Sequence, residues 1–374
     1  MRTRAAVMRY TALPPPYVAS RPLDIVELEL DPPRRGEALV KIKAAGLCHS
    51  DLSAIDGARP RPTPIALGHE AAGVVEAIGD GVEGLAVGDT VALVFIPSCG
   101  RCSRCASGRP ALCEPAAKAN AAGELLHGGR RLSLKGEPIN HLLGVAAFAD
   151  YAVVAEESCV KIDRDLPPEI AALFGCAVLT GVGATVNTAR ATAGDSIGIF
   201  GLGGVGLAAL LGALAVGARQ IVAVDVADDK LNLARQLGAT DAVNATTPDA
   251  ALKIKALTGG GVDIALEMAG AVPALQLAYA ATARGGLTVT AGLPHPDKML
   301  AIPAVTLVAE ERTLKGSYIG SCVPRRDLPR YVALYKSGRL PVDRLLTHTL
   351  KLEEINEGFD RLREGKAVRQ VIVF

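Results

Sequence analysis

The sequence predicts an α/β chain of two domains, one β-rich and one built on a doubly wound parallel sheet. Three observations lead there. The chain is 374 residues long, and at roughly 100–200 residues per domain that length suggests two. Its first third alternates apolar and polar positions at the period of a half-buried strand. From residue 178 onward, short apolar runs alternate with helical stretches, as βαβ units on a parallel sheet require. The expected division is 1–177 for the β-rich domain, 178–319 for the parallel-sheet domain and 320–374 for a return to the first.

Along the chain, Leu39-Val40-Lys41-Ile42-Lys43 alternates cleanly and reads as a strand. Ala71–Ile78 and Thr90–Ile96 are further strands, separated by the turn formers Gly79-Asp80-Gly81 and Gly88-Asp89. Residues 97–147 are rich in Cys, Gly, Pro and charge, with little periodicity. They read as a lobe over 97–115 and a long loop, ordered by something other than a large core. Ser196–Phe200 is a short apolar strand, followed by glycines and an Ala/Leu helix over 205–216. Ile221–Val224, Asp263–Glu267 and Leu287–Thr290 are expected strands, Asp229–Leu237 a helix and Gln370–Phe374 a closing strand.

Composition narrows the function class. Apolar residues make up 49% and aromatics 3%, with no Trp, so the cores must be built from Ala, Val, Leu and Ile. Lys and Arg total 40 against 39 Asp and Glu, a net charge of +1. That balance supplies no field to attract nucleic acid or an anionic membrane. The longest apolar stretch, Leu207–Val216, is too short and too rich in Ala and Gly to span a bilayer. Met1–Tyr10 carries three arginines without the apolar run of a signal sequence, so a cytoplasmic location is expected. In that setting eight cysteines point to metal more than to disulfides.

Gly201-Leu202-Gly203-Gly204-Val205-Gly206 fits G-x-G-x-x-G, and it follows a strand and opens a helix. Gly201 permits the tight turn, Gly203 lets a pyrophosphate approach the backbone, and Gly206 lets helix and strand pack closely. The helix N-terminus offers unpaired N–H groups to the phosphates. Asp225 ends the next strand, where a carboxylate accepts bonds from the adenosine ribose and repels a 2′-phosphate, favouring NAD over NADP. Lys230 lies one helical turn further and could reach the same ribose.

Cys99-x2-Cys102-x2-Cys105-x7-Cys113 can close a tetrahedron around one Zn²⁺ with no open position, a structural site. An iron–sulfur cluster also takes four cysteines. Zinc is preferred because the rest of the chain points to two-electron chemistry. Cys48, His69 and Cys176 would together make a Cys₂His set of the kind that leaves a catalytic zinc open to water. Spacing alone does not join these three, and singly each reads as an ordinary buried residue. Cys159 and Cys322 have no partner pattern.

These motifs, in this order, resemble the zinc-containing medium-chain alcohol dehydrogenases over essentially the whole chain. The match extends through Gly46–Asp51, Gly68-His69-Glu70, the four-cysteine lobe, the Gly-rich loop and the ending Ala367–Ile372. Lys135–Gly144 lies in a loop typical of the longer, dimeric, liver-type branch. The resemblance implies a GroES-like catalytic domain with a Rossmann domain, two zincs per chain, NAD, an alcohol or aldehyde substrate and a homodimer. It implies Cys48, His69 and Cys176 as catalytic-zinc ligands, and Ser50 as the hydroxyl that takes the alcohol proton. Asp51 would orient His69, and Glu70 would stand behind the metal. His49 and Arg369 would contact the pyrophosphate, Thr180 and Val205 the nicotinamide, and Ala291-Gly292-Leu293 its amide. Phe95, Leu142, Leu143, Leu293 and Tyr318 would line the pocket.

Two positions depart from the family pattern. Ser53 stands where the liver-type relay has a histidine, and a serine is no base near neutral pH. A weakened or rerouted relay, through water or with His49 or another group substituting, is expected rather than loss of activity. Arg59 replaces an apolar pocket residue. A solvent-facing side chain is the favoured reading, and a cation that attracts a carboxylate-bearing substrate is the alternative. A formaldehyde dehydrogenase acting on a glutathione or mycothiol adduct, and a non-catalytic NAD-binding relative, are the competing functions. The intact zinc-ligand set argues against the second.

Overall fold

The computed structural model describes residues 1–374. It divides into two compact units: Met1–Cys176 with Val323–Ala333 and Leu346–Phe374, and Ala177–Cys322 with Leu334–Leu345. In chain order the strands are β1 (Arg2–Met8), β2 (Leu23–Leu30), β3 (Glu37–Gly46), β4 (Ile65–Ala66), β5 (Ala71–Ile78), β6 (Thr90–Leu93), β7 (Leu132–Leu134), β8 (Glu137–His141), β9 (Tyr151–Ala155) and β10 (Cys159–Lys161). They continue as β11 (Ser196–Phe200), β12 (Gln220–Asp225), β13 (Asp241–Asn244), β14 (Val262–Glu267), β15 (Thr282–Thr290), β16 (Thr313–Gly316), β17 (Leu346–Leu350) and β18 (Arg369–Val373).

In the first unit β1-β2-β7-β8-β4 closes into a barrel. Closure removes the unpaired edges that an open sheet would expose. Ala5, Val7, Leu28, Leu30, Leu125, Leu132, Ile139 and Val153 are buried together. Each such Leu or Ile contributes about 1.5–3 kcal/mol. A second sheet runs β10-β6-β5-β3-β18-β17, with β9 also on β3. The carboxyl-terminal strand joins it through Val371↔Gly46, antiparallel to β3.

The segment 97–147 departs from the sequence-based expectation. Its first part is a lobe of short helices, but β7 and β8 complete the barrel, and Leu125, Leu132, Ile139 and Ala146 belong to its core. With three and five residues, and Pro138 inside β8, these strands are too short to show a period. Arg131 is buried beside them and forms an ion pair with the equally buried Glu37 at 2.5 Å.

The second unit is a doubly wound sheet, ordered β13-β12-β11-β14-β15-β16. Its pairings are all parallel. Helices Gly204–Ala215, Asp228–Leu237, Ala250–Thr258 and Val272–Ala281 connect the strands. Phe200, Val222, Val224, Val243, Ile254 and Val262 share one core. The strand order reverses between β11 and β14, the point at which such sheets bind ligands at their carboxyl edge.

One helical run, Pro168–Thr188, was not anticipated. It is 21 residues long and apolar enough to cross a membrane by composition, yet 89% of its 18 residues that meet that test are buried inside the protein. Two π-turns, Phe174–Val178 and Ala184–Thr188, interrupt it. Gly175, Gly181 and Gly183 lie within it, and glycine costs about 1 kcal/mol in a helix interior, so propensity hides it.

Candidate functional site

The dispersed ligand set comes together within the first unit. Cys48 caps the helix His49–Ile55, which β3 leads into. Asp51 at the third helical position accepts the Cys48 N–H through Oδ2 at 3.3 Å. Its other oxygen accepts the Gly68 N–H at 3.1 Å and faces His69 Nδ1 at 3.2 Å. One buried carboxylate therefore sets the start of the helix and the orientation of the imidazole. That orientation leaves His69 Nε2 buried and without a hydrogen-bond partner. Cys176 arrives from the π-turn Phe174–Val178 and lies 4.0 Å from Cys48, sulfur to sulfur. π-turns recur at functional sites because they swing one side chain out of helical register.

The ligand atoms of Cys48, His69, Glu70 and Cys176 lie within 4.8 Å of one another. A hydrogen bond from Cys176 holds the Cys48 thiol well below its usual range, against the penalty of burial. The same bond and burial push Cys176 up, so the pair readily holds a thiolate. Burial disfavours the His69 imidazolium, but Asp51 and Cys48 outweigh it and raise His69. An orphaned imidazole nitrogen facing two close sulfurs fits a tetrahedral zinc with one position left over. Burial pushes Glu70 up to about 7, against the pull of Arg369. Glu70 Oε1 pairs with Arg369 while Oε2 has no partner. Arg369, expected at a pyrophosphate, is thus buried at Glu70 in this unit.

Around this centre, Ser50 Oγ lies 3.9 Å from Cys48 Sγ. The Phe95 ring meets the His69 ring edge-on at 5.4 Å. Leu142 and Leu143 are buried, Leu143 in the left-handed region at φ 53. Arg59 is partly exposed, and its amide donates to the Ser53 carbonyl at 2.8 Å. Ser53 Oγ donates to the His49 carbonyl at 2.8 Å, and the His49 side chain is exposed. Asn120 escaped the sequence reading. Its buried amide donates to the Phe95 carbonyl at 2.9 Å, with no sequence signal to announce it.

Cys99, Cys102, Cys105 and Cys113 also gather their sulfurs within 4.8 Å, and none is in a disulfide. The Cys99 N–H points at Cys113 Sγ at 3.3 Å, and the Cys102 N–H at Cys99 Sγ at 3.4 Å. Backbone hydrogen bonds from Cys105 and Glu114 bring Cys102 down to about 6. Burial pushes Cys105 up to about 12. Amides aimed at sulfur suit thiolates, and four of them fit a closed zinc site.

The dinucleotide motif lies in the second unit, between β11 and the helix Gly204–Ala215. Gly201 has φ +94, and a Cβ on Gly206 would overlap the Gly201 carbonyl, so neither position accepts a side chain. A Cβ on Gly203 would meet nothing within 4 Å, leaving open the approach that a pyrophosphate needs. Asp225 accepts the Leu202 N–H at 2.6 Å and the Ala227 N–H at 3.0 Å, which holds the Gly-rich loop against the end of β12. Gly204, Val205 and Lys230 are partly exposed, and Thr180 is buried. Ala291 and Gly292 follow β15 and are partly exposed, while Leu293 and Tyr318 are exposed at 53% and 39%.

Residues 34–164 match the alcohol dehydrogenase GroES-like domain, and residues 204–337 match the zinc-binding dehydrogenase domain. A Mycobacterium tuberculosis protein named alcohol dehydrogenase D is 41% identical over 377 aligned residues that span both chains entirely. Among known structures, an alcohol dehydrogenase zinc-binding domain protein from Burkholderia ambifaria matches at TM-score 0.94 and 35% identity, covering 100% of this chain and 99% of its own. Benzyl alcohol dehydrogenase from Acinetobacter calcoaceticus matches at 0.93 and 34%, with the same coverage. With its paired domains and its full-length relatives, this chain belongs to the zinc-binding alcohol dehydrogenase family.

Proposed function

We propose that the protein interconverts alcohols and aldehydes or ketones with NAD as the hydride carrier. The observation that carries this reading is the partnerless His69 Nε2 between two close thiols, a set with room for one exchangeable ligand. Cys48, His69 and Cys176 would hold a catalytic zinc, and the four lobe cysteines a structural one. When bound, zinc supplies Lewis acidity and the dinucleotide supplies the hydride acceptor. Ser50 accepts the alcohol proton through its hydroxyl and releases it to water. Ser53 takes no part as a base, in keeping with its bond to the His49 carbonyl. Asp51 orients His69 by accepting from Nδ1, the arrangement that would present Nε2 to the metal. Phe95, Leu142 and Leu143, which the family resemblance assigns to the pocket, would give it an apolar wall suited to bulky or aromatic primary alcohols, and the name of the Acinetobacter relative supports the aromatic choice.

Asp225 supports NAD over NADP, because a carboxylate at the ribose repels a 2′-phosphate. Lys230, His49 and Arg369 would complete the cofactor contacts, with Thr180, Val205 and Ala291–Leu293 at the nicotinamide. Six cysteines gathered in two metal-ligand clusters rather than disulfides favour a cytoplasmic location. A homodimer is supported by the edge strand β16 and by the exposed Val305 and Val308 on the helix that precedes it in the chain. The test is a panel of alcohols and aldehydes with NAD and NADP, scored by kcat/KM. Turnover of benzyl alcohol with NAD is expected. Formaldehyde oxidation only with added glutathione or mycothiol would overturn the substrate assignment, and NADP preference would overturn the cofactor.

A further inference from the structure

Glu267 ends β14, and its side chain is 1% exposed. Its partners are a backbone amide and a hydroxyl, and no Lys, Arg or His pairs with it. A buried carboxyl group is costly unless its oxygens are hydrogen-bonded, and here both are, to groups on two different turns. Oε1 accepts the Gly270 N–H at 2.6 Å, and Oε2 accepts the Thr290 hydroxyl at 2.6 Å. The main-chain carbonyl of Glu267 accepts the Ala291 N–H at 2.9 Å. One residue therefore fastens the turn after β14 to the turn after β15. The fit is tight, since a Cβ on Gly292 would overlap the Gly270 backbone and lie 2.9 Å from Glu267 Oε1. The Gly-rich loop abuts the same turn, because a Cβ on Gly201 would lie 2.6 Å from that of Ala269. These turns stand at the carboxyl edge of the sheet, beside the strand-order reversal.

We propose that Glu267 is a positioning residue for the nicotinamide end of the cofactor, acting by locking Gly270 and the Ala291–Leu293 backbone into one arrangement. The inference rests on the dinucleotide reading above. The adenosine half depends on the Gly-rich loop and Asp225, whose bonds to Leu202 and Ala227 do not involve Glu267. Geometry rather than charge is the requirement. A glutamine can keep the bond from Gly270 with its oxygen and turn its amide toward the Thr290 hydroxyl, whereas an alanine loses both.

The test is calorimetric titration of the zinc-loaded protein with NADH and, separately, with ADP-ribose, which lacks the nicotinamide. In Glu267→Ala, NADH affinity should fall by roughly tenfold or more, as expected for the loss of two buried hydrogen bonds, with ADP-ribose affinity unchanged. Glu267→Gln should restore NADH affinity to near the wild-type value. Thr290→Val, which removes one partner and keeps the carboxylate, should show a smaller NADH loss and serves if the alanine variant does not fold. Equal losses for both ligands would overturn the proposal, as would wild-type NADH affinity in Glu267→Ala and Thr290→Val. If the wild-type protein binds neither ligand, the dinucleotide reading itself fails, a result distinct from either.

Discussion

Replacing His141 with glutamine should flatten the acid side of the stability curve. His141 closes β8 and is buried in the first unit. Its Nε2 accepts the Arg131 N–H at 3.1 Å, and its Nδ1 has no partner. Burial, with the nearby guanidinium groups of Arg131 and Arg130, lowers its pKa from 6.5 to about 3. The folded protein therefore refuses a proton that the unfolded chain accepts. Stability is untouched above pH 6.5, then falls as pH drops towards 3, by about 1.4 kcal/mol per pH unit. At pH 5.0 the loss is about 2 kcal/mol, a large share of the roughly 5–15 kcal/mol of a typical domain. The assay is urea unfolding of wild type and His141→Gln, each at pH 7.5 and 5.0. The difference between the two pH responses isolates His141 from metal-linked protons common to both proteins. A double difference near 2 kcal/mol is expected. One below about 0.5 kcal/mol, within the scatter of additivity, would refute the assignment.

Other perturbations follow from the same contacts. Asp51→Ala should weaken zinc at the Cys48 site by about 10–100-fold, as removal of a ligand-orienting partner does, while the four-cysteine site keeps its metal in a chelator competition. Gly206→Ala places a Cβ on the Gly201 carbonyl; such overpacking costs about 1–3 kcal/mol, so NADH binding should weaken together with the melting temperature of the second unit. Arg131→Met strands the buried Glu37, with an expected cost of about 3–5 kcal/mol in urea unfolding, largely recovered in the double variant with Glu37→Leu.

Local signals were legible in the sequence, and contacts between distant segments were not. Ala71–Ile78 and Ser196–Phe200 form strands with the expected bounds, because each is a short, largely apolar run next to turn-forming glycines. The Gly-rich motif was readable because strand, turn and helix fall within a few residues. The four lobe cysteines are close in sequence and close in space. Cys48 and Cys176 stand 128 positions apart, so only family order suggested their meeting. The Arg369–Glu70 pair spans 299 positions and had no signal at all. β7 and β8 were read as loop because three to five residues carry no measurable period. The helix Pro168–Thr188 was missed because its glycines argue locally against it, while burial of its apolar faces decides the outcome.

The central claim is that two distinct zinc sites serve one chain, one open and one closed. Native mass spectrometry of the purified protein, with Cys48→Ser and Cys102→Ser measured alongside, tests it directly. Two zincs per wild-type chain are expected. Cys48→Ser should retain one zinc and the fold but no dehydrogenase activity, and Cys102→Ser should lose the lobe zinc and much of its thermal stability. A single zinc per wild-type chain, or full activity in Cys48→Ser, would contradict the account.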